Sequence, residues 1–304
     1  TLKVWNLAWE EQFTLKGHSD WVNAVAVTPN GQQVISASSD KTLKVWNLAW
    51  EEQFTLKGHS DWVNAVAVTP NGQQVISASS DKTLKAWNLA TGKEQFTLKV
   101  HRVLVNAVAV TPNGKQVISA ANENTLKVWS LVTGAELLTL SGHSDWVNGV
   151  TITPNGKQVI SASRDNTLKV WNLETREEQF TLKGHNYSVK AVAVTHNSKQ
   201  VISASADNTL KVWNLATGEE LFTLKGHSDS VNAVAVTPNG QQVISASSDN
   251  TLKVWNLATG EVIATFTGES YIVCCAVAPD RMTIVAGDAS GRLHFLRLEN
   301  IKEA

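Results

Sequence analysis

At 304 residues and a net charge of −1, with 26 Lys and Arg interspersed among 27 Asp and Glu, the chain carries no electrostatic footprint for nucleic acid. Its two cysteines, adjacent at 274 and 275, fall in a predicted strand and point to opposite faces, which argues against a disulfide between them and fits a reducing, cytoplasmic compartment. No apolar run reaches about 18 residues, and no signal-peptide pattern, lipidation motif, glycine-rich phosphate loop or metal-ligand cluster occurs, so no membrane partner, cofactor or metal is expected.

Residues 1–41 and 42–82 are the same 41 letters, and copies of that unit run on to the C-terminus. A fixed period of this size marks a supersecondary block that cannot bury its apolar face alone. Thr1–Leu7 opens the chain in mid-repeat, which reads as a piece of something longer. Trp5, Trp46, Trp87, Trp129, Trp171, Trp213 and Trp255 then set the register, 41 or 42 residues apart. Within a unit, four short runs of β-formers are divided by turn signals. After His227 these are Val231–Thr237, Gln242–Ser247, Thr251–Leu257 and Val262–Thr267, separated by Pro-Asn-Gly, Ser-Asp-Asn and Ala-Thr-Gly. No segment sustains a helical period, so one unit is a four-stranded antiparallel meander.

Several strands are apolar on both faces, with small Ala alternating with Val, and radial stacking covers both. The expected fold is an all-β, seven-bladed propeller forming one domain over 1–304. Its blades lie near 18–58, 59–100, 101–142, 143–184, 185–226, 227–268 and 269–304. The last unit lacks a fourth strand while Gln12–Lys16 is unclaimed, so that N-terminal segment is expected to close the ring as the outer strand of the last blade. Residues 1–7 are then a surplus strand.

The residues resemble the WD-repeat (WD40) propellers over nearly the whole chain. Gly-His precedes the first strand at 17–18, 58–59, 142–143, 184–185 and 226–227, with Val-His at 100–101, and Trp-Asn generally stands where the family has Trp-Asp. The resemblance implies a buried relay in each blade, from an indole N–H through Ser and His to Asp. The matching sets are His18, Ser36, Asp40 and Trp46, then His59, Ser77, Asp81 and Trp87, and onward through His143, His185 and His227. The third unit substitutes Glu123 for Asp. The last has Glu269, Ala286, Ser290 and Leu296 at the four positions, so its relay is expected to be absent. A Ser, a His and an Asp per unit also invite a hydrolase reading. Six parallel sets, each with a Trp at fixed offset and without a Gly-x-Ser-x-Gly elbow, favour bracing, and no catalytic residue is assigned.

Function is therefore sought on the surface that varies between units. Carried over from the family, the residues ahead of each first strand are Trp21, Trp62, Leu104, Trp146, Ser188, Ser230 and Ile272. Two positions on stand Asn23, Asn64, Asn106, Asn148, Lys190, Asn232 and Cys274. Trp21, Trp62, Trp146, Leu104, Asn23, Asn64 and Asn148, faced by Arg164, Tyr187 and Lys190, form the candidate platform for a protein or peptide, since exposed aromatics and Arg dominate interface energetics. The alternative is that these Trp pack on a neighbouring blade. Trp9 and Trp50 replace the Thr-Gly of a turn on the opposite face, as a docking point or as drift copied twice.

The last unit, from Cys274 to Leu298, is similar to the closing blade of propellers in large bacterial signalling ATPases of the NACHT and NB-ARC type. That resemblance implies a sensor or scaffold module with an upstream ATPase domain as its partner. A carbohydrate- or small-ligand-binding propeller using the Trp ring is the competing reading.

Overall fold

The computed structural model describes residues 9–298 apart from 48 and 50. Among these, 28 strands form seven four-stranded antiparallel sheets. Strands β2 (Val22–Val27), β3 (Gln33–Ser38), β4 (Thr42–Asn47) and β5 (Glu52–Lys57) make the first sheet in simple meander order, and five further sheets repeat it. Two-sided apolar strands and tight Pro-Asn-Gly-type turns dictate this form: Thr28 accepts the Gly31 N–H at 2.8 Å, and Gly31 adopts a φ of 71° that disfavours a Cβ.

The seventh sheet is built from both ends of the chain. Strands β26 (Ile272–Val277), β27 (Thr283–Asp288) and β28 (Arg292–Leu298) are joined by β1 (Trp9–Lys16), which pairs with β28 from Trp9↔Leu298 to Lys16↔Arg292. The closing strand thus starts three residues earlier than the sequence reading placed it. The surplus segment at 1–7 and Trp50 lie outside the described residues.

The cores lie between blades, which is why a lone unit could not fold. Ile35, Leu43, Val45 and Leu56 of the first blade pack with Val63, Val75 and the Trp87 indole of the second. The same arrangement recurs around the ring and closes where Val22, Val34 and Trp46 meet Val285, Leu293 and Phe295 of the seventh blade. With every sheet face covered and the seam zipped by β1, the disc is closed.

Candidate interaction face

In six blades the repeated polar residues are joined end to end inside the sheet. Trp46 Nε1 donates to Ser36 Oγ at 2.9 Å, Ser36 Oγ lies 2.7 Å from His18 Nε2, and His18 Nδ1 lies 2.7 Å from Asp40 Oδ2. The ends fix the direction there: an indole only donates and a carboxylate only accepts, so Ser36 takes the indole proton and the His18 Nδ1 carries a proton toward Asp40. Asp40 also accepts the Ser19 and Thr42 N–H groups and the Thr42 hydroxyl. Burial raises its carboxyl pKa, but the His18 and Thr42 hydrogen bonds outweigh this and hold it well below the ordinary 3.8. In the sixth blade the same balance sets Asp249 at about 2, while burial pushes His227 below its ordinary 6.5, consistent with an uncharged imidazole beside an ionised carboxylate. Glu123 takes the Asp role in the third blade, where it meets His101 Nδ1. Gly17 belongs to the same construction, since a Cβ there would come within 2.3 Å of the Trp46 ring.

The seventh blade lacks the relay, as its residues lead one to expect, but carries a different pair. Its four matching positions make no chain, but Asp288, fully buried, accepts from His294 Nε2 at 3.1 Å and takes the Ser290 and Arg292 N–H groups. The His294 position is Lys in every other blade and the Asp288 position is Ser in all but the third, where it is Ala121, so the recurring offsets do not reveal the pair. Every relay serine is fully buried, and no relay presents a nucleophile to solvent.

The turns after each second strand and the entries to each first strand share one face, as the Ser39 N–H to Trp21 carbonyl bond of 3.0 Å shows. A β-bulge opens every first strand there. Val22 pairs with Ser38 and Ala24 with Ala37, leaving Asn23 out of the ladder, and a bulge of this kind re-aims the side chain it frees. Asn23 Nδ2 reaches the Val63 carbonyl of the next blade at 3.0 Å, Asn64 that of Val105 at 2.9 Å, and Asn148 that of Val189 at 2.9 Å. Asn106 and Asn232 do the same. These amides form an inter-blade belt around the axis, so the candidate residues Asn23, Asn64 and Asn148 also hold neighbouring blades together. In the fifth blade the bulged residue is Lys190, which is exposed.

The bulge also corrects the alignment of the seventh blade. Ile272 pairs with Asp288 and Cys274 with Gly287, so the bulged residue is Val273 and the rim residue is Tyr271, not Cys274 and Ile272. Cys274 is buried, its thiol 3.3 Å from the Val22 carbonyl, and burial raises its pKa; burial pushes Cys275 up to about 12. Tyr271 is a residue the sequence reading missed, although strand openings at 231 and 272 carried the signal.

Trp21, Trp62, Trp146 and Tyr271 are 48, 54, 41 and 51% exposed, against the reading that the tryptophans are buried on neighbouring blades. Leu104 and Tyr187 are exposed as well, and the Arg164 guanidinium stacks 4.7 Å from the Trp146 ring. Asp20 Oδ1 accepts the Trp21 N–H at 2.8 Å, a local turn that fixes the rim, and Asp61 and Asp145 repeat it. Trp21, Asn23, Asn64, Asn148, Lys190 and Tyr271 converge on an axial funnel of about 450 Å³. Trp62, Leu104, Trp146, Arg164 and Tyr187 do not line it. Among the described residues no group of His, Cys, Asp and Glu is arranged to hold a metal, and no helix is long and apolar enough to cross a membrane.

The WD domain, G-beta repeat profile matches residues 9–47, 50–88, 92–130, 134–172, 176–214, 218–256 and 260–295. Each of these stretches takes the outer strand of one blade and the three inner strands of the next, the same offset that closes the ring. Among curated proteins, none matches the chain. Seven family repeats forming seven blades, each of the first six with its bracing chain, leave one conclusion: the chain belongs to the WD-repeat family.

Proposed function

We propose that this propeller is a non-catalytic recognition module that binds a protein or peptide on the face bearing Trp21, Trp62, Leu104 and Trp146. WD-repeat propellers generally act as interaction scaffolds, and the observation that carries the reading here is the set of three half-exposed tryptophans on a rim held rigid beneath them. The polar groups that would otherwise argue for chemistry are consumed in internal bracing. The resemblance of the last blade supports a cytoplasmic sensor or scaffold role within a larger bacterial signalling protein, with an upstream ATPase domain as its intramolecular partner. A carbohydrate or small ligand on the same face is the second reading, favoured by a funnel whose volume of about 450 Å³ falls within the size of ligand pockets.

The test is selection from a random heptapeptide display library on the propeller and on the Trp21→Ala, Trp62→Ala, Trp146→Ala triple variant. Peptides enriched on the former and lost on the latter, with thermal stability nearly unchanged, support the platform. Peptide capture that survives the triple substitution, or extensive loss of stability, overturns it. Protection of tryptophan fluorescence by millimolar glycans, with no peptide enriched, selects the second reading.

A further inference from the structure

The funnel is asymmetric in charge. At the bulged position most blades carry an asparagine whose amide is spent on the next blade's carbonyl, whereas the fifth presents the Lys190 ammonium. Among the described residues Lys190 has no ion pair and no side-chain hydrogen bond, although Asp20, Asp145 and Asp229 stand on the same face. Trp21 and Tyr271 line the same funnel and supply apolar wall. A cation and aromatic surface lining one concavity of about 450 Å³ make a site for one negative charge attached to an apolar group.

Building on the recognition reading above, we propose that the funnel binds a peptide carboxylate. Lys190 takes one carboxylate, from an Asp or Glu side chain or from a chain terminus, and a neighbouring aromatic or aliphatic side chain of the same peptide lies against Trp21 and Tyr271. The occupant carries a single negative charge at this point. A phosphate, close to dianionic at neutral pH, would meet only one funnel cation and would be repelled by the rim aspartates.

The heptapeptides selected above are resynthesised with each acid replaced by its amide, and with free or amidated C-termini. They are then titrated by fluorescence anisotropy against the intact chain, Lys190→Asn, Lys190→Glu and the triple Trp variant. Lys190→Asn installs the residue that five other blades hold at this position, so the ring is kept. The expected results are enrichment of peptides with one carboxylate next to an apolar residue, about tenfold weaker binding to Lys190→Asn, and about a hundredfold weaker binding to Lys190→Glu. The amide replacement that costs affinity on the intact chain, and costs none on Lys190→Asn, identifies whether the side chain or the terminus supplies the charge. Equal binding of acid and amide peptides, insensitivity to Lys190→Asn, or preference for phosphoserine over Asp overturns this proposal while leaving the platform standing if the triple Trp variant still loses binding. Peptides that ignore the triple Trp substitution, or a library that yields none, overturn both.

Discussion

Deleting one imidazole from the bracing chain tests whether these chains hold the blades. The His143 side chain has no exposed surface, and its nitrogens lie 2.7 Å from Ser161 Oγ and 2.7 Å from Asp165 Oδ2. In His143→Ala, Trp171 still donates to Ser161 at 2.9 Å, but the fully buried serine hydroxyl loses its 2.7 Å imidazole partner and keeps only a marginal contact with the Lys169 carbonyl at 3.5 Å. Asp165 keeps the Ser144 and Thr167 N–H groups and the Thr167 hydroxyl, so the carboxylate is not orphaned. One stranded buried hydroxyl costs about 1–3 kcal/mol, and the hole left by the ring adds about 1–2 kcal/mol, giving about 2–5 kcal/mol in all. Urea unfolding at pH 7, followed by tryptophan fluorescence, measures it, with peptide binding by the folded variant unchanged. Asp165→Asn and the double variant complete a cycle whose terms should fall well short of additive, since both partners sit in one network. A loss below about 1 kcal/mol, or full additivity, would refute the bracing role.

The stability of the ring should fall in acid in two stages. Buried His101 and His227 lie below their ordinary 6.5 in the folded state, so their contribution is complete above that value and declines as pH falls beneath it. Asp249 and Asp288 are held at about 2 against an ordinary 3.8; burial raises both, but hydrogen bonds from Thr251 and His227 in one case and from His294 in the other outweigh it, so their share disappears as pH drops from about 4 toward 2. Urea midpoints at pH 7, 5 and 3 should decrease in that order, and a midpoint rising toward acid contradicts the assignment. Lys41 and Lys82 hold φ of 71° and 72° where later blades place Asn166, Asn208 and Asn250. Because asparagine tolerates this region better, Lys41→Asn with Lys82→Asn should raise the unfolding free energy, read from the urea midpoint, by up to about 1 kcal/mol per site. Removing residues 1–16 strips β1 from β28 and bares a strand edge, so the truncated chain should unfold earlier and self-associate in light scattering, while a monodisperse, equally stable product would contradict closure by β1.

Much of this molecule can be read from its letters because repetition averages out local ambiguity. One Trp or one Gly-His is weak evidence, but each copy at constant offset constrains the others, and blade number and closure follow; the six bracing chains are implied by the resemblance to the WD-repeat propellers. The face carrying Trp21, Trp62 and Trp146 was equally legible as a list of varying positions. What escaped lay where repetition lapses. The seventh unit has diverged, so alignment by motif offset put Ile272 on the rim and hid Tyr271, and the Asp288–His294 pair uses two positions that are Ser (Ala121 in the third blade) and Lys elsewhere. The inter-blade role of the asparagines was hidden for another reason: a bulge is a property of strand pairing, and the letters around Val22-Asn23-Ala24 do not announce it.

The sequence of the strand that fastens the seventh blade is copied letter for letter at 50–57, and Glu52–Lys57 of that copy is the outer strand of the first blade. The clasp is therefore an ordinary link of the chain. A recombination event between the two identical 41-residue stretches would delete or add one whole unit and return the same closing strand at the same end. The product would be a chain of six or eight units that keeps the same closing strand, so the size of the disc is governed by how many wedges fit the turn and not by any dedicated latch.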